Sequence, residues 1–249
     1  MIARALRFLV LTACAPHAAV AQDAAQGAAA LSTGSPAIAA PRHQRADFGR
    51  ERASSDARHT ADWVVDSGDN LRLPFIVVDK IEAKVFVFDG DGRLRGAAAA
   101  LLGSARGDDS VPGIGDRELS TILPEERTTP AGRFVAALDR NLRGEEILWV
   151  DYETSISLHR VVRGKPTDRR KQRLATPTPL DNRISYGCIN VPAKFYDTVV
   201  IPTFTGTSGI VYVLPETRSS REVFASYDVE ERARLQMAVE PLRAPAAGP

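Results

Sequence analysis

Two apolar runs between residues 75 and 88 predict the first strands of the fold. Phe75–Asp79 is rich in aromatic and β-branched residues, and residues 83–88 form a second run of the same kind. A few polar residues separate the two runs, and Asp89-Gly90-Asp91-Gly92 closes the second with turn-forming residues. Short runs of this composition, bounded by turn residues, are typical of β-strands. The pattern therefore predicts a β-hairpin.

Later runs predict that the rest of the domain is also mainly β-structure. After a loop rich in glycine, aspartate and proline, strand candidates occur at residues 133–137, 147–151, 155–161 and 209–215. The run AAAALLG at residues 97–103 fits a strand or a helix, because periodicity alone does not assign so short an apolar run. We therefore expect a mostly β domain over residues 63–217.

Three other segments of the domain and its C-terminal end have distinct patterns. Residues 163–183 are polar and lack an apolar period, which predicts a surface loop. Pro192 is suited to the first turn of a short helix, where a backbone N–H is unpaired in any case. Residues 228–240 predict a C-terminal helix within a helical tail that spans residues 218–249.

The first 21 residues have the composition of an export signal. Arg4 and Arg7 precede an apolar run that ends in small residues at Ala21, which predicts cleavage after Ala21. The letters LTAC, ending at Cys14, also fit a lipoprotein signal in which Cys14 carries the lipid, and this alternative stays open. The run is shorter than the roughly 20 apolar residues of a spanning helix. We expect an exported, periplasmic protein, or an outer-membrane lipoprotein, with no transmembrane span in the mature chain.

Composition sets bounds on the organisation and the partners of the chain. Residues 22–62 consist largely of small and polar residues with few large apolar ones, which predicts a flexible linker. The 249 residues, 44% of them hydrophobic, suffice for one domain of ordinary size with tails. The formal net charge of +1 argues against a nucleic-acid-binding protein, which normally has a basic excess.

Cys188 stands out because the chain has only one other cysteine, Cys14 in the signal. No intramolecular disulfide can form after processing, and a solitary thiol in an oxidising compartment is either a small buried hydrophobe or a reactive group. His159 is the one histidine in the body of the predicted domain. A cysteine nucleophile needs a base to generate thiolate, and a neutral imidazole is the usual one.

The surroundings of Cys188 in the sequence also favour a thiolate. The predicted helix from Pro192 would bring a positive helix end close to the thiol, which lowers a thiol pKa. Gly187 would permit a tight turn and the close approach of a substrate to backbone N–H groups that could hold an oxyanion. Gly187 is equally compatible with an ordinary turn.

The order of three motifs resembles that of a known enzyme family. Ser185-Tyr186-Gly187-Cys188-Ile189-Asn190 follows His159, and Thr129-Pro130-Ala131-Gly132-Arg133-Phe134 precedes both. Together they resemble the catalytic domain of L,D-transpeptidases, also called YkuD-like, over roughly residues 73–215. The resemblance implies a mostly β, sandwich- or barrel-like domain with short helices. No metal-ligand set or nucleotide-binding loop stands out in the sequence, so we expect no metal or cofactor.

The resemblance also implies a reaction and roles for individual residues. Cys188 would attack a peptidoglycan stem peptide at the bond before the terminal D-alanine, and the thioester would pass to an amine, giving a 3,3 cross-link, or to water. His159 would be the base, oriented by the carbonyl of Arg160, and the amides of Gly187 and Cys188 would form the oxyanion hole. A carbapenem would acylate the cysteine. The remaining motif positions are expected to contact substrate: Arg183, Ser185, Tyr186 and Asn190.

The chain departs from the family pattern at two places. Tyr186 stands where the family has a histidine, and a phenol with a pKa near ~10 cannot act as a base at neutral pH; we interpret it as a modifier of rate or substrate choice, with simple packing as the alternative. The segment 160–179 is longer than usual and strongly basic. It fits a clamp for substrate carboxylates or merely a solvated face.

Alternative functions stay open at the level of the sequence. Within the same chemistry, the protein could be an L,D-carboxypeptidase or an amidase-type wall hydrolase, because these differ only in the group that attacks the thioester. In another class, it could be a catalytically weak wall-binding scaffold that uses the basic segment to hold anionic polymer. The retained pair of Cys188 and His159 favours an enzyme.

Overall fold

A computed structural model describes residues 43–243, with side chains up to residue 238. The export signal, Cys14 and the first part of the linker lie outside the described residues. The strands in this part of the chain are β1 (Phe75–Asp79), β2 (Lys84–Phe88), β3 (Leu94–Ala99), β4 (Leu102–Gly103), β5 (Gly132–Arg140), β6 (Glu146–Asp151), β7 (Ile156–Arg160), β8 (Arg183–Ser185), β9 (Ile189–Val191) and β10 (Gly209–Val213). The prediction of a mostly β domain is confirmed.

Eight of these strands form one sheet that almost closes on itself. The strand order is β3-β2-β1-β10-β5-β6-β7-β9, so β3 and β9 are its edges. Leu101, two residues after β3, exchanges backbone hydrogen bonds of 2.8 and 2.9 Å with Asn190 in β9. This bridge joins the two edges and gives the sheet its barrel-like form, as expected.

The predicted hairpin and the later strand candidates are confirmed. β1 and β2 pair in antiparallel register, and residues 97–99 and 102–103 lie in β3 and β4, which settles the ambiguity of the run in favour of strands. The predicted loop at residues 163–183 contains a 3-10 turn (Pro166–Asp168) and one short helix, α2 (Arg170–Arg173), and ends in β8.

Two apolar clusters lie on opposite faces of the sheet. The first packs the inner face of the strands against a helical segment made of α3 (Ala193–Phe195), a π-helix (Tyr196–Val200) and α4 (Ile201–Phe204). The second packs β1, β2 and β10 against α1 (Ser55–Ser67), α5 (Ser220–Phe224) and the start of α6 (Val229–Arg243). Because these strands are buried on both faces, their sequences are continuous apolar runs instead of alternating ones.

The prediction of a flexible linker up to residue 62 is wrong for its last part. α1 begins at Ser55, and the side chain of Ser54 caps it by accepting a hydrogen bond from the amide of Ala57. Phe48 is 3% exposed and packs edge-on against the rings of Phe86 and Phe88. Ala57 and Ala61 are the small residues that α1 buries, and most of the residues around them are polar, so the composition resembles that of a linker.

The C-terminal helix is present as α6 (Val229–Arg243), slightly longer than the predicted residues 228–240. Over residues 43–243, helices are either too short or too polar to cross a bilayer.

Candidate active site

Strand β7 places Ser157 and His159 on one face of the sheet. Leu158 between them points into the apolar core and is fully buried. Side chains alternate across a strand, so Ser157 and His159 share the opposite face. Both line an open cavity of about 1110 Å³, together with Cys188.

Cys188 follows a tight turn whose shape depends on Gly187. Gly187 has a φ of +132°, and a Cβ there would lie 2.6 Å from Cδ1 of Ile156 and 2.7 Å from the carbonyl oxygen of Thr128. The hydroxyl of Thr129 donates a 2.7 Å hydrogen bond to the Gly187 carbonyl. Only glycine fits this position, which agrees with the turn predicted from sequence.

The ring of His159 is oriented as the resemblance implied. Its Nδ1 lies 2.8 Å from the carbonyl oxygen of Arg160, and Nδ1–H donates to that oxygen. This contact leaves Nε2 as the nitrogen that can exchange a proton with another group.

The thiol and the imidazole shift each other's protonation. Burial by itself raises the pKa of the Cys188 thiol, but His159 and then Ser157 stabilise the thiolate, and the net pKa lies below the ordinary value. Burial likewise lowers the pKa of His159, but Cys188 and the Arg160 carbonyl outweigh it, and the net pKa lies above its ordinary value. Opposite shifts of this kind favour a thiolate–imidazolium pair.

The sulfur of Cys188 has two further polar neighbours. The hydroxyl oxygen of Ser157 lies 3.6 Å from it, and the carbonyl oxygen of Ser155 lies 3.7 Å away. Ser157 is not among the site residues predicted from the sequence. The available signal was the two-residue spacing to His159 within a predicted strand, which puts both side chains on one face.

The predicted helix end is not next to the thiol. Strand β9 intervenes between Cys188 and α3, so the helix starts at the far end of a strand that rises about 3.3 Å per residue. The attribution of thiolate stabilisation to that helix is therefore wrong. The side chains of His159 and Ser157 supply the stabilisation instead.

Only one of the two expected oxyanion donors is available. The amide of Gly187 donates to the hydroxyl oxygen of Ser185 at 3.1 Å, and this hydroxyl in turn donates to the carbonyl of Cys188 at 2.7 Å. The amide of Cys188 makes no hydrogen bond within residues 43–243. The expectation that Gly187 contributes its amide to an oxyanion hole does not agree with this geometry.

Three of the predicted substrate-binding residues are instead structural. Ser185 and Asn190 are 3% and 1% exposed, and the side-chain amide of Asn190 donates a 3.1 Å hydrogen bond to the Cys188 carbonyl. Arg183 pairs with Glu216 at 2.5 Å and donates to the carbonyl of Lys80. These side chains hold the turn and the loops around it, because their polar groups are already used within the protein.

Tyr186 is the predicted contact residue that remains accessible. It is 38% exposed, and the guanidinium of Arg127 lies over its ring, 4.0 Å from the centroid. Tyr186 lines a second cavity, of about 220 Å³, together with Cys188 and Ile122. Its position beside the thiol is compatible with the expected influence on substrate choice.

The basic segment separates into paired and unpaired arginines. Arg160 bonds to Asp197 at 2.7 Å, Arg170 to Asp168 at 3.1 Å, and Arg173 to backbone carbonyls. Arg163 lines the 1110 Å³ cavity and forms no side-chain hydrogen bond or ion pair in the described part of the chain. Two arginines of the segment therefore line the cavity, Arg160 with its charge paired and Arg163 without a partner in the described residues.

Residues 43–243 contain no cluster of three histidine, cysteine or acidic side chains arranged to hold a metal ion.

Comparisons with known proteins return structures but no sequence match. No family model matches the chain, and no curated protein does. Among solved structures, the chain is similar to the helical cell shape determining protein of Campylobacter jejuni, with 13% identity and a TM-score of 0.38 over 65% of this chain. The match spans about half, 52%, of the Campylobacter chain.

L,D-transpeptidases are also among the similar structures. The catalytic domain of the E. faecium enzyme has 17% identity and a TM-score of 0.30, over 57% of this chain and 96% of that one. The L,D-transpeptidase of Mycobacterium smegmatis has 16% identity and a TM-score of 0.31, over 56% and 58% of the two chains. The family that the motifs resemble is thus represented among the structural matches.

Proposed function

We propose that this protein is an exported cysteine acyltransferase that acts on peptidoglycan stem peptides through a thioester at Cys188. The observation that carries the proposal is the arrangement of Cys188, His159 and the Arg160 carbonyl at the edge of an open cavity. It contains a nucleophile, a base and the group that orients the base, which are the parts that covalent catalysis by cysteine requires. The motif resemblance supplies the substrate class.

In the first half of the reaction, the Cys188 thiolate attacks the carbonyl carbon of the third stem residue. A C–S bond forms, and the carbonyl oxygen becomes an oxyanion for which the Cys188 amide is the nearest free donor of the turn. The oxyanion then collapses and breaks the C–N bond to the terminal D-alanine. The His159 imidazolium gives its proton to the departing amine, so that a thioester and neutral imidazole remain.

In the second half, neutral His159 takes a proton from the incoming nucleophile. An amine of another stem peptide gives a 3,3 cross-link, and water gives a shortened stem peptide. In both cases the C–S bond breaks and the thiolate–imidazolium pair is restored. Transpeptidase and L,D-carboxypeptidase activities thus differ in the acceptor and use the same residues of this chain.

The test is incubation of the full chain with purified tetrapeptide muropeptides, followed by mass spectrometry. We compare the unmodified protein with Cys188→Ala and use Cys14→Ala as the matched control, because it makes the same change at the other cysteine. Loss of D-alanine with new dimers, absent only in Cys188→Ala, supports a transpeptidase. Loss without dimers supports a carboxypeptidase or another hydrolase.

An unchanged product profile, with no acyl adduct on the unmodified protein, contradicts the proposed function. The wall-binding scaffold then becomes the better interpretation. It predicts sedimentation of both the unmodified protein and Cys188→Ala with purified cell wall.

A further inference from the structure

The cavity next to Cys188 has an aromatic wall that the proposed reaction does not yet use. Trp149 in β6 is the direct cross-strand partner of Ser157 in β7. Side chains of directly opposed residues lie about 5 Å apart, and the Ser157 hydroxyl is 3.6 Å from the Cys188 sulfur. The indole of Trp149 therefore lies on the same face as the thiol, one side chain away from it.

The indole is held in place and partly exposed. Trp149 stacks on Tyr152 with ring centroids 4.7 Å apart and an interplanar angle of 24°, and Trp149 lines the 1110 Å³ cavity. Leu142 and Val162, both exposed, continue the apolar lining. Half-exposed aromatic rings beside a reactive group offer a rigid apolar surface that a ligand can cover at little entropic cost.

The charged residues of the same cavity do not balance. Glu146 pairs with Arg160 at 3.6 Å, so these two charges offset each other. The carboxylate of Glu145 accepts a 2.8 Å hydrogen bond from the amide of Asn141. Arg143 and Arg163 enter the cavity wall from different segments, and neither forms an ion pair or a side-chain hydrogen bond within the described residues. Two free guanidinium groups thus face one glutamate, which favours an anionic ligand.

We propose that Trp149, Arg143 and Arg163 form a subsite for the carboxylate end of a peptide bound at Cys188. The aliphatic part of the peptide lies on the indole, and its free carboxylate binds the guanidinium groups of Arg143 and Arg163. This inference rests on the proposed function and adds to it a chemical requirement, a free carboxylate on the peptide. Asn190, at the motif position where the family has asparagine or arginine, is buried and bonded to the turn, so it does not provide this contact.

The experiment measures binding of two probes by titration calorimetry. The probes are a tetrapeptide stem peptide and the same peptide with its C-terminal carboxyl amidated, and the protein is the full chain with Cys188→Ala, which prevents turnover. We expect the free acid to bind about tenfold more tightly, because charge-assisted hydrogen bonds to arginine are lost in the amide. In the Arg143→Gln/Arg163→Gln variant this preference should disappear.

The matched control is Arg169→Gln/Lys171→Gln, which removes the same charge from two exposed residues of the basic segment outside the cavity wall. It should keep the preference for the free acid. Trp149→Leu should weaken the binding of both probes by the same factor, because the indole contacts the aliphatic part that the two peptides share. Melting temperatures of all variants establish that they are folded.

Equal binding of acid and amide, or a preference that persists in Arg143→Gln/Arg163→Gln, overturns the subsite. This outcome is separable from failure of the proposed function. If the unmodified protein removes D-alanine from tetrapeptides while acid and amide bind alike, only the subsite is wrong. If tetrapeptides neither bind nor react, both proposals fail.

Discussion

The hydroxyl of Ser157 lies 3.6 Å from the sulfur of Cys188. Ser157 precedes His159 by two positions in strand β7. The thiol therefore has two stabilising side chains on one strand, the imidazole and this hydroxyl. Both lower the pKa of the thiol against the opposing effect of burial.

Ser157→Ala should raise the pKa of the Cys188 thiol. Removal of the hydroxyl takes away a hydrogen bond to the thiolate while burial, which raises the pKa, stays. Iodoacetamide should alkylate the variant several-fold more slowly at neutral pH, measured in a Cys14→Ser background so that Cys188 is the only thiol. Ser157→Thr keeps a hydroxyl and should restore the rate. Equal rates for serine and alanine would show that the hydroxyl has no part in thiol activation.

The alkylation rate of the unmodified protein should rise at a pH below the ordinary thiol pKa of about 8.5. The thiol pKa is lowered, so thiolate is present above that lowered value; the His159 pKa is raised, so imidazolium persists until the pH exceeds it. Turnover of stem peptide should be highest between the two. In His159→Gln, burial acts without the imidazole, and the midpoint of alkylation should move to higher pH. An unchanged midpoint would contradict the pairing of these two groups.

Lys80 is the centre of a buried ion cluster that should contribute strongly to the free energy of unfolding. Its fully buried ammonium donates to Asp108 at 2.8 Å and to the carbonyls of Gly107 and Thr129 at 2.6 and 3.0 Å. These contacts join both ends of the loop at residues 107–129, and Thr129 holds the Gly187 carbonyl. Although burial opposes it, hydrogen bonds from Lys80 and Thr217 hold the pKa of the Asp108 carboxyl well below its usual range.

Lys80→Met should therefore cost about 3–5 kcal/mol in the free energy of unfolding, because buried carboxylates lose their partner. The control Lys84→Met breaks a partly exposed pair with Glu51 and should cost about 1 kcal/mol. Urea denaturation measures both. Equal losses in the two variants would mean that the cluster contributes no more than a surface pair.

Tyr186 and Arg127 should be energetically coupled through the aromatic ring. The guanidinium lies 4.0 Å from the ring centroid, at a partly exposed site where such contacts contribute about 0.5–1 kcal/mol. A double-mutant cycle with Tyr186→Ala and Arg127→Met should return a coupling of that size by urea denaturation. Tyr186→Phe keeps the ring and should keep the coupling. A coupling that vanishes with the hydroxyl alone would assign the contact to a hydrogen bond.

Gly187→Ala should abolish turnover of stem peptide. The new Cβ would approach Ile156 and the Thr128 carbonyl within 2.6 and 2.7 Å, so the turn that carries Cys188 must shift. The control Gly206→Ala also has a positive φ, +76°, but its Cβ meets nothing within 4 Å. It should lose some stability and keep the activity. A fully active Gly187→Ala protein would show that the turn tolerates displacement.

Local patterns were sufficient to predict most of the strands. The runs at Phe75–Asp79 and residues 147–151 are mainly apolar because the sheet buries them, and residues 155–161 alternate because β7 has one apolar face and one polar face, so composition reports the environment directly. Residues 43–62 resemble a linker in composition because polar residues outnumber apolar ones, which is also true of a helix that buries only one face. Local composition does not distinguish the two.

The sequence by itself determined the chemical groups of the site: one cysteine, one histidine in the domain, and a glycine at the turn. The tertiary structure decided which other side chains lie next to these groups. Register between β6, β7 and β9 brings Trp149, Ser157 and Cys188 together, and the same folding buries Asn190 and pairs Arg183 with Glu216. These residues are far apart in sequence, and strand pairing, which depends on the packing of the whole sheet, decides which of them meet.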